Sequence, residues 1–236
     1  FQGDPRWNDQ LPNYLAPEFR KRGHDFTARW LAKVEAVGED GLQGQDLLSY
    51  RIFVGNGVSE LIDMTLRALL NPGDEVLVPS PDYPLWSAAT ILNDGRPVYY
   101  RCAPENGFLP DPVEVEGLVS SRTRAIVLIN PNNPTGAVYP RELLEKLVAI
   151  ARRHNLLLLV DEIYDQVLYD GAKFEPLAPI ADDHPCITFS GLSKVHRACG
   201  WRVGWAILTG APARTAGYRN AMDLLSGLRL CANVAG

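Results

Sequence analysis

Leu156-Leu157-Leu158-Leu159-Val160-Asp161-Glu162-Ile163-Tyr164 is the stretch that decides the fold. Five apolar residues in a row, without polar alternation, predict a strand over 156–160 that is covered on both faces. A strand of that kind belongs to a parallel sheet held between two layers of helices. The run stops at a carboxylate, which is costly in such a place unless a cation or a set of donors meets it. Taken alone, Asp161 is equally well read as the cap of a helix start.

Working outward, short apolar runs alternate with helical periods from residue 51 onward. Further strands are expected at 51–54, 75–78, 97–101, 125–129, 187–189 and 203–208. Helices are expected at 59–70, 84–92, 140–153 and 213–228, with Leu61, Ile62, Thr65, Leu66 and Leu69 on the inner side of the first. Pro140 is read as opening its helix in the first turn. The pattern predicts an α/β fold: a mostly parallel, seven-stranded sheet flanked by helices, with its site at the carboxyl ends of the strands. Residues 1–50 are poorly patterned, apart from a plausible helix over 17–37.

The chain has 236 residues, 46% of them apolar and 22% charged, which is the composition of an ordinary globular protein. A net charge of −5, with no basic run, argues against nucleic acid as a partner. No apolar run reaches membrane-spanning length. Cys102, Cys186, Cys199 and Cys231 lie far apart, make no metal or redox pair, and read as buried thiols of a reducing, cytoplasmic compartment. The chain starts at Phe1 and closes Asn233-Val234-Ala235-Gly236 directly after a helical pattern, so it reads as a fragment.

Four segments carry candidate chemistry, each falling where a strand ends. Gly55-Asn56-Gly57-Val58-Ser59-Glu60 joins a strand to a helix whose free amides suit an anion. It lacks the lysine of a Walker loop and the third glycine of a dinucleotide fingerprint, and alone it is an ordinary βα turn. Pro81-Asp82-Tyr83-Pro84 offers a tyrosine that can stack on a flat ring or simply sit on a surface turn. Asn130-Pro131-Asn132-Asn133-Pro134-Thr135-Gly136 is an irregular turn that can aim an Asn amide inward, and the Asn133-Pro134 bond is expected to be cis. Ser190-Gly191-Leu192-Ser193-Lys194, followed by Gly200-Trp201-Arg202-Val203-Gly204-Trp205, sets a lysine among small residues with an arginine eight positions later. Small neighbours allow close approach, and the guanidinium fork suits a phosphate. An amine that can reach a carbonyl beside a phosphate anchor is what a pyridoxal-phosphate enzyme needs.

Together these segments resemble the fold-type I aminotransferases of class I and II, with the strongest likeness to the bacterial branch that uses glutamate and pyruvate. The resemblance covers roughly 52–234 and rests on GNGVSELI, LVPSPDYPLW, INPNNPTGAVY, VDEIYDQVLYD, SGLSKVHRACGWRVGW and LRLCANV, in that order. It implies pyridoxal 5'-phosphate as cofactor, with Lys194 as the Schiff-base lysine and proton carrier and Asp161 as partner of the pyridinium nitrogen. Tyr164 and Asn133 would bind the phenolic oxygen, and Tyr83 would stack on the ring. Gly57, Val58, Ser59, Ser193 and Arg202 would hold the phosphate. Relatives often place a serine three residues before the lysine; here that position is Gly191, which leaves Ser190 and Ser193 as the nearby hydroxyls.

The resemblance further implies an amino acid, alanine or glutamate, and a 2-oxo acid as substrates, and a homodimer with 228–234 at its interface. It divides the chain into an N-terminal segment, 1–50, and a large cofactor domain, 51–236, with the small domain and its carboxylate-clamping arginine largely absent. A carbon–sulfur lyase on the same fold and a non-catalytic cofactor-binding fragment are the alternatives.

Overall fold

The computed structural model of the chain describes residues 52–229. The expected helix over 17–37, Cys231 and most of the expected dimer segment lie outside them. Seven strands form one sheet: β1 (Ile52–Asn56), β2 (Glu75–Ser80), β3 (Arg96–Arg101), β4 (Thr123–Ile129), β5 (Leu157–Asp161), β6 (Cys186–Gly191) and β7 (Val203–Thr209). Their spatial order is β1-β7-β6-β5-β4-β2-β3. Every neighbouring pair is parallel except the two made by β7, which runs against both β6 and β1. The reversal brings the start of β7, not its end, to the edge of the sheet where β5 and β6 finish.

Among the described residues the α-helices are α1 (Val58–Leu69), α2 (Leu85–Leu92), α3 (Pro112–Gly117), α4 (Arg141–His154), α5 (Leu177–Ala181) and α6 (Pro212–Leu228). Period-two alternation sorts the strand residues between two cores. Ala125, Val127 and Ile129 of β4, with Leu159, Ile187 and Phe189, pack under Leu61, Ile62 and Leu66 of α1 and Trp86 and Ala89 of α2. Ile126 and Leu128, with Leu158 and Val160, pack under Leu143, Leu144 and Leu147 of α4 on the other face. Leu158, Leu159 and Val160 are fully buried, as a strand covered on both sides requires.

Within the described residues, the expected strands and long helices are present, with ends displaced by a residue or two. Pro140 caps α4 from outside, with extended backbone, and does not stand in its first turn as expected. The short helices α3 and α5 were not expected; five or six residues show no helical period. The Asn133-Pro134 bond is cis, as expected, and so are Ser80-Pro81 and Asn130-Pro131. Cys102 and Cys186 are buried thiols, but Cys199 is exposed, contrary to expectation. It sits in the loop before β7, held by a bond from Sγ to the Ser193 carbonyl at 3.0 Å rather than by a core. Among the described residues no helix is long and apolar enough to cross a membrane.

Candidate active site

Between β1 and α1 the chain turns through Gly57, at φ 75° and ψ 169°. The turn aims the start of α1 into the sheet's carboxyl edge, and no side chain caps that helix. Its first amides therefore remain available to an anion, reinforced by the helix dipole. Arg202 stands beside them. Its carbonyl accepts from Gly57 N at 2.8 Å, while its Nη1 donates to the Cys199 carbonyl at 2.9 Å and reaches Ser193 Oγ at 3.4 Å. A row of glycines makes this approach possible. Gly204 pairs with Gly55 on one side and Gly191 on the other, and a Cβ on Gly204 would lie 2.5 Å from Val58 N.

Asp161 ends β5 on the same face of the sheet and is 3% exposed. Its Oδ2 accepts from the indole Nε1 of Trp86 and its Oδ1 from the amide of Ile163, each at 3.3 Å. Both donors are neutral. Burial pushes the Asp161 carboxyl up to about 6, against the opposing pull of its hydrogen bonds and of the Lys194 charge. Such a group gains from any cation brought into the pocket. Glu162, next in the chain, points to the opposite face, where it accepts from Leu177 N at 2.9 Å; burial pushes it up to about 7.

After β4, two asparagines are spent on the loop itself. Asn130 Oδ1 accepts from Tyr139 N at 2.9 Å, and Asn132 Oδ1 accepts from Thr135 Oγ1 at 2.8 Å. Asn133 is the one of the three that lines the pocket. Lys194 follows β6, with its Nζ 5.8 Å from the centroid of the Tyr164 ring.

One pocket gathers Val58, Ser59, Tyr83, Asn133, Asp161, Tyr164, Ser193, Lys194 and Arg202. Gly57 adjoins it through Arg202. Ser190 does not line it. Phe189 faces the α1–α2 core, so its neighbour Ser190 faces the other way, by the same alternation that orders β6. Ile163 and Cys199 also line the pocket, and Trp86 supports it from behind; none of the three was expected. The arrangement can receive a flat molecule that bears an anionic group, a ring cation and a carbonyl within reach of an amine.

A model of the family "Aminotransferase class I and II" matches residues 12–232. An alanine aminotransferase of Mycobacterium tuberculosis is 54% identical over 183 residues, covering 78% of this chain and 43% of that protein. The glutamate–pyruvate aminotransferase AlaA of Escherichia coli is 51% identical over 190 residues, covering 80% and 47%. The chain thus spans somewhat under half the length of these curated relatives. A crystal structure of an Escherichia coli aminotransferase superposes with a TM-score of 0.77 at 52% identity, over 79% of this chain and 46% of that one. Sequence family, fold and the contents of the pocket agree: the chain belongs to the class I and II aminotransferases.

Proposed function

We propose that the chain is the cofactor-binding part of an aminotransferase that moves an amino group between alanine or glutamate and a 2-oxo acid. The family implies pyridoxal 5'-phosphate, and the pocket fits it. A buried carboxylate with neutral donors suits the ring nitrogen, an uncapped helix start beside Arg202 suits the phosphate, and an amine stands in the same cavity. That shared cavity for Lys194, Asp161 and Arg202 is the observation that carries the reading. When bound, the cofactor supplies an electron sink for the pair left behind as a substrate α-proton departs.

In this reading Lys194 Nζ would hold the cofactor covalently at rest and, once freed as an amine by the incoming substrate amine, would take the α-proton from the amino acid. Asp161, as a carboxylate, keeps a proton on the ring nitrogen. Tyr164 and Asn133 donate to the phenolic oxygen, and Tyr83 covers the ring. Gly57, Val58, Ser59, Ser193 and Arg202 bind the phosphate. Ser193, rather than Ser190, is the serine hydroxyl on this side of the loop. We read residues 51–236 as the large domain and 1–50 as a separate segment, and the working form as a cytoplasmic homodimer.

Borohydride reduction of the full-length protein with pyridoxal phosphate should fix the cofactor on Lys194, and Lys194→Ala should abolish that fixation. A labelled peptide carrying Lys146 or Lys173 instead would refute the assignment. Alanine formation from glutamate and pyruvate is the expected turnover. Pyruvate, ammonia and a thiol released from an S-substituted cysteine, without amino transfer, would replace the reading with a lyase.

A further inference from the structure

Trp86 is fully buried on α2, 75 residues from Asp161 in sequence, yet its indole Nε1 donates to Asp161 Oδ2 at 3.3 Å. The indole has little freedom to turn away. Its ring meets Phe189 edge-on, with centroids 5.3 Å apart and planes at 79°. Phe189 is also the residue that pairs with Asp161 across β5 and β6. The Trp86 backbone is fixed as well: its N–H donates to the Tyr83 carbonyl at 3.1 Å, and its carbonyl accepts from Thr90 Oγ1 at 2.8 Å. One turn of chain thus presents Tyr83 to the pocket and an indole N–H to the pocket's buried carboxylate.

We propose that Trp86 is a positioning residue: its N–H fixes one oxygen of Asp161 from behind, so that the carboxylate stays ionised and faces the ring nitrogen of the bound cofactor. The inference rests on the reading of the pocket given above. A neutral donor suits the role. An arginine or lysine there would satisfy the carboxylate fully and compete with the ring cation, whereas an indole orients the group and leaves its charge for the ligand. An indole also donates at every pH. The other ionisable groups bearing on Asp161 are Lys194 from the loop after β6 and Glu162, its neighbour in the chain. Neither forms the hydrogen bond that Trp86 forms.

The test uses the full chain without cofactor. Infrared difference titration with labelled aspartate, assigned by Asp161→Asn, reads the midpoint at which Asp161 ionises. Trp86→Phe keeps an aromatic wedge and removes the donor. It should raise that midpoint by about one pH unit, with pyridoxal-phosphate affinity reduced about tenfold. Phe189→Leu, which loosens the ring that pins the indole but keeps the donor, should raise the midpoint by less than Trp86→Phe does. An unchanged midpoint in Trp86→Phe overturns the proposal. Should that variant fail to fold, the native protein still decides. The Trp86 indole proton, followed by NMR, should shift with the Asp161 midpoint, and a flat titration overturns the proposal equally. Neither titration involves cofactor, so failure of the native chain to bind pyridoxal phosphate would count against the functional reading alone.

Discussion

Arg202 lies over Gly57 so closely that a Cβ on the glycine would stand 2.1 Å from Nη2 and 2.9 Å from Cζ. The glycine's φ of 75° is a second barrier to any side chain. Gly57→Ala should therefore push the guanidinium out of the proposed phosphate cradle and strain the turn by roughly 1–3 kcal/mol. Cofactor affinity should fall about tenfold, the loss of one charge-assisted contact. Arg202→Ala should cost about as much, and the double variant little more than either single one. Fully additive losses in cofactor titrations would show that the two residues act separately.

The architecture was largely legible because its signals are local. The run 156–160 gave β5 away by lacking alternation, and the glycines of Gly55-Asn56-Gly57 marked a turn that only small residues can make. Asp111-Pro112 was an available helix signal as well: Asp111 caps α3 by accepting from Val113 N at 2.9 Å, with proline in the first turn. Counting by twos from Phe189 would have turned Ser190 away from the pocket. Trp86 is different. Its bond to Asp161 exists only because α2, packed against β2 and β3, carries the indole to the end of β5, and no spacing in the chain announces it. The exposure of Cys199 was hidden for a related reason, since a cysteine in a loop carries no periodic pattern to say which way it faces.

Asp161 and Glu162 make the cofactor-free protein sensitive to pH. Burial raises both carboxyls, to about 6 and about 7, from ordinary values near 4. A raised folded-state value means that the neutral form is favoured on folding. The stability from these groups is complete below about pH 4 and is lost as pH rises through 6 and 7. Asp161→Asn removes its share, so denaturant melts near pH 8 should show the variant more stable than the native apoprotein by about 3 kcal/mol. The Glu162 share should remain as a residual slope. Cofactor should reverse the order, because a ring cation stabilises the carboxylate and not the amide. Superimposable pH–stability curves for the two apoproteins would contradict the account.

Gly191 stands three residues before Lys194, where the family resemblance led us to expect a serine, and the structure gives a reason why serine would not fit here. Gly191 faces Gly204 across β6 and β7, and a Cβ would lie 2.7 Å from the Val203 carbonyl oxygen and 3.0 Å from the Gly204 Cα. Those atoms are backbone and cannot rotate aside. At Gly55 the obstacle is the Leu61 side chain, which can move. Gly191→Ser should thus force the strands apart and lower stability by about 1–3 kcal/mol, the usual range for overpacking. Lys194 and Arg202 hang from the loop that joins these strands, so cofactor affinity should fall too. Gly200→Ser is the control: it lies in the same loop, with nothing within 4 Å of its Cβ position, and should be close to neutral. Equal unfolding midpoints for the two variants would mean that the β6–β7 contact is not what requires glycine at 191.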